Sequence, residues 1–115
     1  MTTLRITGIL ASGRHGASSG ERDEPQDFVV DLEVEVAPET DALDQTVDYR
    51  EIAHAARRTI DERSFALLET IAREVAVAVC ALPGVDEVRA VVHKPRAARR
   101  LDVEDVAAIF SIRSE

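Results

Sequence analysis

Residues 27–36 read DFVVDLEVEV, and apolar side chains occupy every second position from residue 28 onward. These apolar residues are Phe28, Val30, Leu32, Val34 and Val36. A period of two is typical of a β-strand that buries one face and exposes the other to water. The wet face carries Asp31, Glu33 and Glu35, whose charges discourage edge-to-edge aggregation. The segment therefore predicts a half-buried strand.

The segments around this strand predict one more strand and two connections. Residues 3–12 alternate apolar and polar side chains, which predicts an earlier strand. Residues 13–25 carry three glycines and a proline among serines and acids, which predicts a loop. This loop is long for a compact domain, and loops of that length are often functional. Residues 37–47 are polar and predict a connection to the next element.

Two helices are predicted in the middle of the chain. Asp48 can cap a first helix that runs to about residue 62, and Glu51 completes an acidic variant of the capping box. Ser64 is a candidate cap for a second, longer helix. Pro83-Gly84 ends this second helix.

The last third of the chain predicts two strands joined by a loop. Residues 85–93 are rich in β-branched side chains, and Lys94-Pro95 closes the strand because the residue before proline disfavours helix. Residues 96–102 predict a basic loop, and residues 106–113 alternate again. The order ββααββ predicts an α+β fold, with an antiparallel four-stranded sheet and both helices on one face.

Length and composition set broad limits. The chain has 115 residues, and we expect one domain spanning 1–115. A chain of this size buries only about two-thirds of its unfolded surface, so oligomerisation would stabilise it. The net charge of -8 argues against a general nucleic-acid binder. Cys80 is the single cysteine, which excludes an intramolecular disulfide framework. We see no secretory signal or membrane span, and therefore expect a cytoplasmic protein.

Four short segments carry side chains capable of chemistry. They are His15-Gly16 with Glu21, Val47-Asp48-Tyr49, Leu67-Leu68-Glu69 and Val92-His93-Lys94-Pro95. Tyr49 and Lys94 are the only tyrosine and the only lysine, and together they would make a plausible proton-transfer couple. Glu69 lies beside the apolar stripe of its helix. The residues alone favour a boundary carboxylate that reaches water over an anchor for a ligand with two N–H donors.

Six short motifs follow one another in a particular order, and they are Gly13-Arg14-His15-Gly16, Glu21-Arg22, Gln26 before Phe28, Thr46-Val47-Asp48-Tyr49, Leu67-Leu68-Glu69 and His93-Lys94-Pro95. In this order and spacing they resemble the dihydroneopterin aldolase family over residues 3–113. The resemblance implies the tunnelling fold, in which the sheets of several subunits join edge to edge into a ring-shaped barrel. It also implies a homo-oligomer, a tetrameric ring or an octamer of two stacked rings, with sites at the subunit interfaces.

The activity implied by this resemblance is a retro-aldol cleavage in folate biosynthesis. It would convert 7,8-dihydroneopterin into 6-hydroxymethyl-7,8-dihydropterin and glycolaldehyde, without a Schiff base, a metal or another cofactor. Epimerisation at C2′ begins with the same deprotonation and would accompany it. The alternatives are an epimerase of the triphosphate, a non-catalytic pterin or purine binder, and a purely structural ring protein. The expected partner is a small pterin, with no nucleic acid or membrane.

Catalytic roles are implied for three matched positions. Lys94 would help to deprotonate the side-chain hydroxyl through a water, and Glu21 would organise Lys94 and that water. Tyr49 would come from a neighbouring subunit and transfer a proton at the intermediate. Pterin binding is implied for four positions, namely Glu69 at the amino-pyrimidine edge, the backbone of Leu68, and Val47 and Asp48 lining the pocket.

Two segments depart from the family pattern. Residues 17–20 replace a bulkier stretch, and residues 96–100 replace an Ala-Pro-x-Pro turn with Arg-Ala-Ala-Arg-Arg. These arginines would suit a phosphorylated substrate, but we interpret them as a solvated basic turn. His54, Cys80 and His93 are assigned no catalytic role.

Overall fold

Four strands form one antiparallel sheet in sequence order in the computed structural model, which describes residues 1–37 and 40–115. The strands are β1 (Thr2–Gly13), β2 (Gln26–Val36), β3 (Val85–His93) and β4 (Ala107–Arg113). Each strand pairs with the next, so β1 and β4 are the two edges of the sheet. All four predicted strands are confirmed to within a residue or so of their ends, and so is the α+β class.

Three helices accompany the sheet in the part of the chain that the structure describes: α1 (Tyr49–Glu62), α2 (Leu68–Cys80) and α3 (Pro95–Leu101). The predicted cap of α1 is confirmed, because the Asp48 side chain accepts a hydrogen bond from the backbone N–H of Arg50 at 2.9 Å. Short 3-10 turns lie at Glu21–Asp23 and Leu43–Gln45. The second of these turns falls in the predicted connection over residues 37–47, of which residues 38–39 lie outside the described part.

The prediction of a loop over residues 96–102 is wrong, since α3 fills this segment. Proline suits the first position of a helix, and the alanines and arginines that follow Pro95 are good helix formers. Ala98 is buried, and Asp102 ends the helix in the left-handed conformation with a φ of 56°. The element order is therefore ββααβαβ.

Ser64 is not the cap of α2, contrary to the prediction. The helix begins at Leu68, and its cap residue Leu67 makes no side-chain capping bond. The Ser64 hydroxyl instead donates to the carbonyl oxygen of Arg14. A serine that precedes a helix can donate its hydroxyl to a carbonyl that is distant in sequence. In this chain the bond connects the β1–β2 loop with the α1–α2 connection.

The core lies between one face of the sheet and the helices α1 and α2. The alternating side chains of β2 are at most 2% exposed, and their partners on β3 are at most 4% exposed. Buried residues of both helices belong to the same hydrophobic cluster, which places both helices on one face as predicted. The cluster includes Phe28, Val30, Leu32, Ile52, Ile60, Ile71, Val75, Val88 and Val92.

A β-bulge interrupts the pairing of β1 with β2 between Ile6 and Ile9. Gly8 adopts a φ of 73° there, a conformation that glycine accepts at little cost. Its backbone N–H donates to Asp31 at 2.8 Å on the outer face of the sheet. On the same face, Glu33 pairs with Arg5 and Arg89, so the acidic face of β2 is partly neutralised. No helix among the described residues is both long and apolar enough to cross a membrane.

Candidate active site

An ion pair between Glu21 and Lys94 is the centre of the site. The Lys94 Nζ lies 2.7 Å from Glu21 Oε2, and the two side chains are only 17% and 7% exposed. Lys94 directly follows β3, where its backbone N–H donates to the carbonyl of Val106. The hydrogen bond from Lys94 lowers the pKa of Glu21 to about 2, although burial works against this shift. Glu21 is therefore a carboxylate at neutral pH.

Gln26, the first residue of β2, holds the carboxylate of Glu21 from the other side. Its Nε2 donates to Glu21 Oε2 at 3.1 Å and to the carbonyl of His15 at 3.0 Å. The side chain is buried, and its Oε1 has no hydrogen-bond partner within residues 1–37 and 40–115. Gln26 thus joins the sheet to the loop that carries Glu21.

His15 braces this loop from inside the protein, where it is 1% exposed. Its Nδ1 accepts the backbone N–H of Phe65 at 3.0 Å, and its Nε2 lies 2.8 Å from the carbonyl of Ile60. A backbone N–H only donates, so Nδ1 carries no proton and Nε2–H donates to Ile60. Burial lowers the pKa of His15 and favours this neutral form. The ring also stacks on Phe65 with centroids 5.6 Å apart.

Gly16 allows the loop to wrap around the carboxylate of Glu21. A Cβ at residue 16 would lie 2.0 Å from the carboxyl carbon of Glu21, and the φ of 138° is rarely adopted by other residues. The backbone N–H of Gly16 donates to the carbonyl of Phe65 at 3.0 Å. His15-Gly16, singled out from the sequence as a candidate, is therefore the framework of the site rather than a reacting group.

Leu68 and Glu69 begin α2 and lie at the same end of the molecule as the Glu21–Lys94 pair. Phe65, three residues before the helix, contacts both Gly16 and His15. Leu68 is half-buried and Glu69 is exposed. Within the described ranges, the Glu69 carboxylate makes no hydrogen bond or ion pair, so it is available to a ligand.

Tyr49, Val47 and Asp48 lie at the opposite end of the sheet. Tyr49 is 63% exposed and borders a cavity of about 610 Å³, together with Val36 at the end of β2. Val29, near the start of β2, pairs with His93, the neighbour of Lys94. At about 3.3 Å per residue, Val29 and Val36 are about 23 Å apart along the strand. One chain therefore does not bring Tyr49 to Lys94.

Asp48 and Val47 both stabilise the start of α1 within one chain. The Asp48 carboxylate caps α1 and pairs with the Arg50 guanidinium at 2.7 Å, and this hydrogen bond lowers the pKa of Asp48. The Val47 side chain is 6% exposed and belongs to the core, although it also borders the large cavity. Both residues hold the start of α1, and so position Tyr49.

A smaller cavity of about 220 Å³ opens beside the ion pair. Its walls include Glu21, Lys94, Arg96 and Arg100. Arg96 and Arg100 lie on α3, in the segment for which the sequence predicts a loop. An adjoining cavity of about 200 Å³ shares Glu21 and both arginines.

A cluster around His93 was missed by the sequence analysis. On the outer face of the sheet, His93 Nε2 lies 2.7 Å from Asp31, and Nδ1 lies 3.0 Å from both carboxylate oxygens of Asp105. Burial opposes ionisation, but the hydrogen bonds from His93 to Asp105 and Asp31 prevail and raise its pKa. The cluster fixes His93, the residue next to Lys94. The alternation of β3 places the His93 side chain on the outer face of the sheet, and this was the sequence signal that could have indicated the cluster.

Comparison with known proteins identifies the family of the chain. The family model for dihydroneopterin aldolase matches residues 4–110. The dihydroneopterin aldolase of Streptomyces coelicolor is 33% identical over 110 residues, which cover 92% of each chain. That of Bacillus subtilis is 32% identical over 80 residues, covering 66% of this chain and 67% of the relative.

Solved structures show the same fold. The E. coli dihydroneopterin aldolase in complex with neopterin superimposes with a TM-score of 0.87 at 25% identity, covering 97% of this chain and 99% of the other. The Burkholderia enzyme bound to guanine gives a TM-score of 0.79 at 21% identity, covering 99% and 92%. These similarities confirm the predicted tunnelling-fold subunit, whereas its assembly into a ring stays a prediction.

Proposed function

The chain belongs to the dihydroneopterin aldolase family, and from this premise we propose that it cleaves 7,8-dihydroneopterin in folate biosynthesis. The products are 6-hydroxymethyl-7,8-dihydropterin and glycolaldehyde. The observation that carries the proposal is the Glu21–Lys94 pair, held at 2.7 Å beside a cavity. A shielded ammonium–carboxylate pair of this kind is suited to moving a proton on a bound alcohol.

The reaction begins with loss of the proton from the 2′-hydroxyl of the substrate side chain. The C1′–C2′ bond then breaks, C2′ becomes the carbonyl of glycolaldehyde, and the electron pair passes into the C6–N5 imine of the pterin. Protonation at C1′ gives the hydroxymethyl product. Because the pterin ring accepts the electron pair, the protein is required only to orient the ring and to move two protons.

Lys94 helps to deprotonate the hydroxyl through a water: the ammonium first releases its own proton to solvent, and the resulting amine then accepts the proton of the hydroxyl. Glu21 holds both the lysine and that water. The support is structural: Glu21 is itself fixed by Gln26 and by the backbone N–H of Ser18 at 3.3 Å, so Lys94 has a rigid partner. Positioned groups of this kind typically contribute about 100- to 10,000-fold to the rate.

Pterin recognition falls to the start of α2. The exposed, unengaged carboxylate of Glu69 accepts two N–H donors from the amino-pyrimidine edge, a charge-assisted pair, and the backbone of Leu68 adds a further bond. Val47 and Asp48 line the other side of the pocket. Tyr49 protonates C1′. Because Val47, Asp48 and Tyr49 lie at the opposite end of the sheet from Lys94, a second copy of the chain supplies them.

The two edge strands provide the means of assembly. Exposed edges β1 and β4 carry unpaired backbone groups that can pair with another chain. Pairing β1 of one copy with β4 of the next would build a closed ring, as a tetramer or a stacked octamer, and would bring the Tyr49 end of one copy to the Lys94 end of another. The lone free cysteine, Cys80, supports a reducing cytoplasmic compartment.

The deciding experiment is incubation of the purified protein with 7,8-dihydroneopterin, with chromatography of the pterins and a separate assay for glycolaldehyde. We expect the two products in equal amounts, and an epimeric pterin beside them. Release of the epimer without glycolaldehyde would identify an epimerase instead. Tight binding of neopterin without any product would identify a non-catalytic pterin binder.

A further inference from the structure

Three cations surround the small cavity beside the catalytic pair. α3 begins directly after Lys94, and its residues Arg96 and Arg100 stand four positions apart, so they share one face of the helix. Both arginines border the cavity of about 220 Å³ together with Glu21 and Lys94. Both also border the adjoining cavity of about 200 Å³. The arginines are therefore part of the wall of the site and do not form a detached basic turn.

The two guanidinium groups have no carboxylate partner within 4.0 Å among residues 1–37 and 40–115, unlike Lys94, which is paired with Glu21. The negative charge of Glu21 is thus already matched, and the arginines leave the cavity with an excess of positive charge. Glu24 also borders the adjoining cavity and adds a second carboxylate there. Arginine presents a planar fork of N–H donors that fits phosphate oxygens with two parallel bonds.

We infer that this cavity receives a phosphate carried on the side chain of the substrate, so that the enzyme also cleaves dihydroneopterin phosphorylated at its 3′-oxygen. The inference rests on the proposed function, which places the 2′-hydroxyl at Lys94. The 3′-oxygen is the next position outward along the side chain. A phosphate there lies on the Arg96 and Arg100 side of Lys94, where α3 continues.

The chemistry of cleavage is unchanged for such a substrate. The 2′-hydroxyl loses its proton, the C1′–C2′ bond breaks, and the electron pair enters the pterin ring. All phosphorus–oxygen bonds stay intact, and the phosphate leaves on the two-carbon fragment as glycolaldehyde phosphate. The pterin product is the same for both substrates.

Arg99 supplies a matched control on the same helix. It stands next to Arg100 in sequence and is also exposed, yet it borders a different cavity, formed with Pro25, Gln26 and Val29. Arg99→Gln and Arg100→Gln remove the same charge from the same turn of α3. A difference between the two variants therefore reports the position of the guanidinium and not the net charge of the protein.

The test compares kcat/KM for dihydroneopterin and for its 3′-phosphate in the wild type and in Arg96→Gln, Arg100→Gln and Arg99→Gln. We expect the first two variants to lower the phosphate-to-dihydroneopterin ratio by about 10- to 150-fold, the range of a lost charge-assisted bond. Arg99→Gln should leave that ratio within a factor of two. Equal ratios in all variants, or a wild type that cleaves dihydroneopterin but not its phosphate, overturn the inference.

Failure of the proposed function is recognised separately. If the wild type cleaves neither substrate, the aldolase proposal fails, and calorimetry with neopterin and with neopterin 3′-phosphate then decides the inference. Tighter binding of the phosphate, lost in Arg100→Gln and kept in Arg99→Gln, would support the phosphate site. Equal affinity for both compounds would reject it.

Discussion

The ammonium group of Lys94 lies 2.7 Å from the carboxylate of Glu21, which ties the end of β3 to the loop between β1 and β2. The pair is largely shielded from water, and the hydrogen bond from Lys94 lowers the pKa of Glu21 from 4.5 to about 2. The same contact therefore joins two distant segments of chain and sets the charge at the site, so that its removal should affect both turnover and acid stability.

Glu21→Gln should reduce turnover about 100-fold, because Lys94 loses the group that holds it and its water. The variant should also be less stable than the wild type at neutral pH. A carboxylate with a depressed pKa stabilises the fold fully above its unfolded value of 4.5, and this contribution disappears as pH falls toward 2. Urea unfolding at pH 7 and near pH 3 should show the difference between the two proteins shrinking.

Glu24→Gln is the control for the loss of one acid in the same loop. Glu24 is exposed and makes no hydrogen bond or ion pair in the described residues, so its replacement should leave the acid unfolding profile close to that of the wild type. A Glu21→Gln protein whose deficit is equal at both pH values would show that the ion pair does not stabilise the fold.

The fold followed from the sequence more completely than the site did. Every second side chain of β2 packs against the helices, so its apolar residues recur with a period of two. This pattern can be recognised within a single segment, without knowledge of the rest of the fold. α3 was missed because Pro95 both ends the preceding strand and suits the first position of a helix. Whether residues 96–102 form a loop or a helix depends on contacts with other parts of the chain, which bury Ala98.

The site depends on contacts between segments that are distant in sequence. No local pattern joins Glu21 to Lys94, and the resemblance alone paired them. Asp31 reaches His93 through the register of β2 with β3, whereas the bonds of Gln26 and of Asp105 depend on loops that pack against the strands. The sequence specifies neither of these arrangements. The sequence suggests Tyr49 and Lys94 as a proton-transfer pair, but within one chain they lie near opposite ends of β2.

Glu69→Gln should weaken the binding of neopterin while the fold survives. The substitution keeps the shape of an exposed side chain and removes the charge from a charge-assisted pair, which typically contributes about 1.5–3 kcal/mol. Titration calorimetry should show an affinity lower by about 10- to 150-fold. The thermal midpoint should fall only slightly, since one acid in the first turn of a helix contributes about 0.3–1 kcal/mol. Unchanged affinity would make Glu69 a boundary residue.

His93→Gln should destabilise the protein more at pH 5.5 than at pH 8.5. The raised pKa means that His93 stabilises the fold fully below its unfolded value of 6.5, and that this contribution is lost as pH rises through the folded pKa. Buried, neutral His15 has the opposite dependence, since its pKa is lowered. The difference between wild type and variant isolates His93 because His15 is present in both.

Denaturant unfolding at the two pH values provides the measurement, with Asp105→Asn as the partner variant. Removing Asp105 takes away one of the two carboxylates that hold the protonated imidazole, so the same trend should appear with smaller amplitude. A deficit in His93→Gln that is independent of pH would mean that the ring contributes packing alone.

Mixed oligomers of Tyr49→Phe and Lys94→Ala should recover activity that neither variant has alone. If the site combines Lys94 of one copy with Tyr49 of another, random assembly at equal ratio leaves about a quarter of the sites with both native residues. Co-refolding followed by the glycolaldehyde assay provides the test, and unmixed proteins at the same total concentration are the control. Light scattering should confirm an oligomer. Absence of recovery in verified mixed oligomers would contradict a site that combines Lys94 of one copy with Tyr49 of another.

Lys94→Arg should retain the fold and most neopterin binding, yet lose turnover by about 100- to 10,000-fold. Arginine preserves the positive charge beside Glu21, but it effectively never releases its proton in a protein, whereas lysine can exchange one with a bound water. If Lys94 only closes the end of β3 before Pro95, a further arginine should be harmless in a chain that already contains thirteen. Steady-state cleavage and binding are measured separately, because a loss in kcat with normal affinity indicates an interaction made mainly in the transition state. Wild-type turnover in the variant would remove Lys94 from the mechanism and leave proton transfer to Tyr49 and Glu21.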